Sequence, residues 1–300
     1  MRDWYNDTPY SLTQGLAAGA FGTPDRYSGG AGESAVPGTW DRCSALYRSS
    51  DSYVVQCLQQ TAPIESSSSQ SSLGGVIWWG PGAAHSTVYV PVFVGNPPVD
   101  RLNTPYQGVY NVSTLYWVNR NILTTSQVKF SYMYVNIHQT QLELEAKGQA
   151  LVNTLVQRYG NTLLSDKDWN SVYGSVQDHV NQVHGAYTGL WHYLFFTYAD
   201  GYVNYWSGSN KETATFHSSS VGYPAWWLEE VGYPDGPPPT SSPAPPPRPS
   251  PPPYNPQAVK VHDLEVFGDK SRESVKKCVY KCQGRKDHDD CVDQCFSLDK

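Results

Sequence analysis

Between Tyr233 and Pro256 the chain reads "YPDGPPPTSSPAPPPRPSPPPYNP", a run that holds more than half of its 23 prolines. Proline has no backbone N–H and a fixed φ, so such a run supports neither a helix nor a sheet ladder and buries no core. It favours polyproline II, at ~3.1 Å per residue, and acts as a semi-rigid spacer. The chain therefore divides into a folded unit over 1–233, a linker over 234–256 and a small Cys-rich unit over 257–300. The PxxP spacing also suits a protein partner of the SH3 or WW kind, although a spacer is the commoner use of this composition.

The first unit must build its core from unusual material. Apolar residues make up only 39% of the chain, but 22 Tyr and 10 Trp supply large buriable surfaces. Charged residues are sparse and the net charge is −6, which argues against a nucleic-acid-binding surface. No apolar run approaches the ~18–20 residues of a membrane span, and no basic-then-apolar leader opens the chain.

Local patterns give the outline of the unit. "GGVIWWG" and "STVYVPVFVG" read as two strands about the turn "PGAAH", with Pro91 marking an edge or a bulge. "TLYWVNRNIL" and "HQTQLELEAKGQALVNTLVQRYG" read as helices. In the second, Leu144, Leu151 and Leu155 share a face, Glu143 stands four before Lys147, and Gly160 is a natural stop. A third helix opens on a Ser165/Asp168 capping box and carries Trp169, Val172, Val176, Val180 and Val183 on one face. Strands followed by long amphipathic helices predict an α+β domain.

The six cysteines suggest an oxidising setting, secreted or lysosome- or vacuole-like. Cys43 and Cys57 form a plausible pair. Cys278/Cys282 and Cys291/Cys295 each stand four apart, so on two antiparallel helices each pair lines one face. That predicts bridges Cys278–Cys295 and Cys282–Cys291 in a disulfide-stapled α-hairpin, with a four-Cys zinc site as the competing chemistry. Asn6 and Asn111 head glycosylation sequons. The eight histidines offer no HExxH and no metal-ligand cluster. His179 and His184 are five apart and diverge, and His85–Ser86 reads as turn chemistry rather than a catalytic pair. "GGAG" at Gly29–Gly32 is followed by no Lys-Ser/Thr, so no phosphate loop and no cofactor is indicated.

Five segments, in order and in register over about residues 1–237, carry a family likeness. "MRDWYNDTPYSLTQGLAAGAFGTPDRY" resembles the Arg-Asp…"GTP(F/Y)D"…"GPFG" region of the dipeptidase A–secernin family, with Ser11 where an acid is usual. "GGVIWWGPGAAHSTVYVPVFVG" is similar to that family's strand pair ending in "VYVP". "LYWVNRNI" resembles its Trp-containing helix, "QLELE" its Gln-x-x-x-Glu stretch, and "DGYVNYWSG…VGYPAWWLEEVGYPDGP" its C-terminal end.

The resemblance implies an αββα N-terminal-nucleophile hydrolase sandwich that cleaves dipeptides. In that family a cysteine freed at the mature N-terminus is the nucleophile and its own α-amino group is the base. Backbone or amide donors stabilise the tetrahedral intermediate. The family's nucleophile lies upstream of the segment with which this chain opens, and no cysteine precedes Cys43. The expectation is therefore a C-terminal portion, an incomplete sandwich that is inactive alone, with no catalytic residue of its own. Cys43 could serve only after self-cleavage before it. The alternative is a non-catalytic scaffold that acts through the linker and the hairpin.

Within the matched segments, Arg2, Asp3 and Arg26 are the charges that could hold a dipeptide's termini, a bidentate arginine suiting a free carboxylate. An internal Arg–Asp pair that fixes the loop is the competing use. Asn119 and Asn121 could supply amide donors, against a helix-surface role. The aromatic cluster "YPAWWLEEVGY" could line a pocket or pack the end of the domain.

Overall fold

The computed structural model describes residues 2–4, 8–27, 41–58, 72–97, 99–102, 109–208 and 214–233. The expected linker, the Cys278–Cys295 and Cys282–Cys291 bridges and the Asn6 sequon lie outside them.

The described part is α+β. Strands β1 (Asp51–Cys57), β2 (Gly75–Pro81) and β3 (Val90–Phe93) form an antiparallel sheet in the order β1-β2-β3. Helices α1 (Leu115–Ser126), α2 (Phe130–Tyr159) and α3 (Asp166–Thr197) follow, then a hairpin of β4 (Tyr202–Ser207) and β5 (Thr215–Ser220), and the short α4 (Ala225–Glu230). The expected strand pair forms β2 and β3, with Trp78 opposite Pro91. Pro91 sits in an edge strand, where its missing N–H costs no ladder bond.

Among the helices, α3 packs on both α1 and α2, and α2 and α3 lie against β3. The valine stripe explains this arrangement: Val172, Val176, Val180 and Val183 are all fully buried, and Tyr187, Leu190 and Leu194 continue the same face. The helix starts where the capping box places it. Asp168 N–H donates to Ser165 Oγ at 3.3 Å, and Ser165 N–H donates to Asp168 Oδ2 at 3.1 Å. Trp169 lies against Gly95 beside the end of β3.

Gly160 ends α2 in a right-handed conformation, φ −61°, rather than the left-handed one a C′ glycine usually supplies. Glycine is needed there for space, since a Cβ would stand 2.5 Å from the Val156 carbonyl oxygen.

Two elements escaped the sequence patterns. Within the described part β1 is an edge strand, exposed along most of its length on both faces, and it ends at Cys57. The β4–β5 hairpin pairs aromatic "YVNYWS" with polar "TFHSSS" and buries neither strand fully, so no apolar alternation announces it. The expected Cys43–Cys57 bridge is not formed, and both residues are free thiols. Cys43 is buried in a cluster with Trp4, Leu12, Ala45, Ala84 and Phe130, whereas Cys57 is exposed at the end of β1.

Candidate functional site

The turn from Pro81 to Tyr89 leaves β2 and enters β3. It is almost wholly buried, with Ala83, His85, Ser86, Thr87 and Val88 between 0 and 1% exposed. A buried turn exposes carbonyls and amides that water cannot reach, so other side chains must meet them. Four side chains from three segments distant in sequence do so.

From the N-terminal segment, Arg2 Nε donates to the Ala84 carbonyl at 2.8 Å and Nη2 to the Thr87 carbonyl at 2.9 Å. From α2, Gln141 Nε2 donates to the same Thr87 carbonyl at 2.8 Å and to that of His85 at 3.2 Å. Glu145, one turn on, accepts the Tyr89 N–H at 2.9 Å. From α1, Asn119 Nδ2 donates to the Pro81 carbonyl and to Thr87 Oγ1, both at 2.8 Å. Arg2 and Glu145 close the network as a forked ion pair, Nη1 reaching Oε2 at 3.0 Å while Nη2 meets Oε1. Burial works against the Arg2 charge, but the hydrogen bond and charge of Glu145 prevail and raise its pKa.

Beside this network lies a buried pair. His85 Nε2 stands 3.8 Å from Asp25 Oδ1, and both side chains are at most 2% exposed. Neither imidazole nitrogen nor Asp25 Oδ1 has a hydrogen-bond partner among the described residues, while Asp25 Oδ2 accepts from Gln127 at 2.8 Å. Trp4 and Phe130 pack edge-on to the His85 ring. Burial pulls the His85 pKa from 6.5 down to about 4, the nearby Ala45 carbonyl opposing it and the Arg2 charge adding to it. Burial likewise pushes Asp25 from 3.8 up to about 6, against the Gln127 hydrogen bond and the charges of Arg26 and Arg120.

The site residues expected from sequence fall into two groups. Arg2 and Asn119 meet at the turn. Arg2 directs its donors to Glu145 and two carbonyls, so its internal partner is Glu145 rather than Asp3. Asn119 is fully buried, contrary to a helix-surface role. Arg26 lies elsewhere, donating to the carbonyls of Leu12, Thr23 and Asp25, and it fixes its own loop. Asn121 is half-buried and donates to the Tyr110 hydroxyl at 3.0 Å. Asp3 is exposed near the start of the chain. Asn111 is exposed too, its Oδ1 accepting from the Ser113 N–H and hydroxyl.

Ser86 Oγ donates to the Ala83 carbonyl, the turn chemistry expected of it. His179 faces Gly148, whereas His184 bonds the Val112 carbonyl and Arg101, so the two diverge. No group of three or more His, Cys, Asp or Glu among the described residues is placed to hold a metal ion. Burial pushes the Cys43 thiol pKa up, the opposite of what an activated nucleophile needs.

Gln141 and Glu145 are the ends of the Gln-x-x-x-Glu stretch but carried no site role in the sequence reading, and Asp25 was not singled out at all. For the first two a signal existed. Positions 141, 144, 145, 148 and 152 follow one helical face, so polar residues at 141 and 145 are phased with buried Leu144 and Val152. Nothing local marks Asp25.

Compared with known proteins, the chain matches no family model, and no curated protein matches it.

Proposed function

We propose that residues 1–233 are part of a cysteine-type dipeptidase with an αββα N-terminal-nucleophile sandwich, whose nucleophilic cysteine lies outside Met1–Lys300. In that reaction the α-amino group takes the proton of the cysteine thiol, and sulfur attacks the peptide carbonyl carbon. The tetrahedral intermediate expels the second amino acid as an amine that carries the proton away. Water then hydrolyses the thioester and releases the first amino acid.

The observation that supports this reading is convergence. Segments carrying the resemblance supply Arg2 ("MRD"), Asn119 ("LYWVNRNI") and Gln141 with Glu145 ("QLELE"), and all four hold the turn that opens into "VYVP". Motifs spread over 143 residues and joined at one place are the pattern expected when they jointly shape a site. In this reading the four are positioning residues, because their polar groups are directed at the turn and at one another.

The test is a dipeptide-hydrolysis assay on two proteins, the 300-residue chain and the same chain joined to its in-frame upstream coding sequence. The expected result is turnover by the longer protein alone, abolished by iodoacetamide. Iodoacetamide-sensitive turnover by the 300-residue chain would place the nucleophile within it. Absence of turnover by a longer product with a free N-terminal cysteine would overturn the reading.

A further inference from the structure

A cavity of about 670 Å³ opens between the glycine-rich loop over residues 13–22, Ser131 in the first turn of α2, and α4. It falls within the ~300–1,000 Å³ of ordinary small-ligand sites. The loop can form this wall because Gly22 holds φ +69° and passes so close to Thr13 that a Cβ would stand 2.9 Å from its carbonyl oxygen. The Ser131 N–H donates to the Phe21 carbonyl at 2.9 Å and ties the loop to the helix.

The opposite wall has a definite chemistry. Trp226 and Glu230 are four apart on α4, which places an indole and a carboxylate side by side on one helix face. The Trp226 side chain is left substantially open, at 41% exposure. Glu230 carries the only formal charge among the described lining residues, and it forms no ion pair within the described part. Leu16 and Phe21 add apolar surface across from them. An anion would meet a bare carboxylate here, and a neutral apolar ligand would leave that carboxylate desolvated without a partner.

We propose that this cleft binds an alkylguanidinium group, its planar cation stacked on the Trp226 indole, its N–H fork on the Glu230 carboxylate and its alkyl stem against Leu16 and Phe21. A guanidinium fits better than an ammonium because it is planar, weakly hydrated and able to donate two parallel hydrogen bonds to one carboxylate while it stacks. The site is distinct from the turn network and does not rest on the peptidase reading.

Calorimetric titration of the 300-residue chain with agmatine at low salt tests this. The expected result is saturable one-to-one binding, with Glu230→Gln and Trp226→Leu each weakening it about tenfold or more and butylurea, the uncharged planar counterpart, failing to bind. Both side chains are at the surface, so unchanged thermal melting of the variants separates loss of binding from loss of fold. Titration with the dipeptide Gly-Arg distinguishes the source. Tighter binding than agmatine marks a peptide side chain, and weaker binding marks a free amine. Absence of saturable agmatine binding, wild-type affinity in both variants, or equal binding of butylurea would overturn the proposal.

Discussion

Arg2 and Glu145 stand 143 residues apart in sequence and meet as a forked ion pair, each about one-fifth exposed, over the buried turn between β2 and β3. The same guanidinium and carboxylate also bond the turn backbone, so this pair joins the N-terminal segment, the turn and α2.

Removing one partner strands the other charge in a half-dry setting, which costs about 3–5 kcal/mol for buried pairs and somewhat less at this exposure. Arg2→Met and Glu145→Leu should each lower unfolding stability by roughly 2–3 kcal/mol. The double variant should lose clearly less than the two combined. Urea melts of the four proteins measure the coupling, and strict additivity would show the pair contributes nothing as a pair.

Asp25 and His85 titrate in opposite senses. The folded pKa of Asp25, about 6, lies above its unfolded 3.8, so its contribution to stability rises as pH falls through about 6 and is complete near 4. The folded pKa of His85, about 4, lies below 6.5, so its contribution is present above 6.5 and is lost as pH falls towards 4. Between about 4 and 6 the folded pair and the unfolded pair each hold one proton, on the carboxyl when folded and on the imidazole when unfolded. The pair therefore adds little pH dependence to the intact protein. Asp25→Asn should expose a loss of stability on acidification over pH 6.5–4, and His85→Gln a gain over pH 6–4, each on the order of 3 kcal/mol. Thermal melts across pH 4–7 check this; equal slopes in both variants would refute opposed titration.

β1 pairs only with β2 within the described part, and Tyr53, Val54 and Val55 are each between 47 and 58% exposed. An open apolar edge is a template for strand addition. Val55→Lys should slow self-association, read as light scattering at high protein concentration. Unfolding stability should change by no more than about 0.5 kcal/mol, because the side chain it replaces is already in water.

Much of the fold is legible in the sequence alone. The α3 valine stripe and its capping box, the strand pair about "PGAAH" and the edge position of Pro91 all follow from periodicity and from steric or capping chemistry acting within a few residues. The site was legible only in part. Arg2 and Asn119 stood out as polar residues in apolar surroundings, but Arg26 looked equivalent to Arg2 and proved to be a tie within its own loop. Cys43 and Cys57 looked like partners by count alone, whereas packing buries one in an aromatic cluster and leaves the other at an exposed strand end.

The sequence by itself determined where α3 starts, which of its faces is buried and where the β2–β3 strand pair forms, because helix phasing, caps and strand patterning act locally. Tertiary structure decided which polar groups are buried and with whom. The Arg2–Glu145 and Asp25–His85 encounters cross 143 and 60 residues and exist only once the loop, the sheet turn and α2 are packed together. Burial then shifts Asp25 up and His85 down, since a group's pKa depends on the solvent and neighbours that packing removes or supplies.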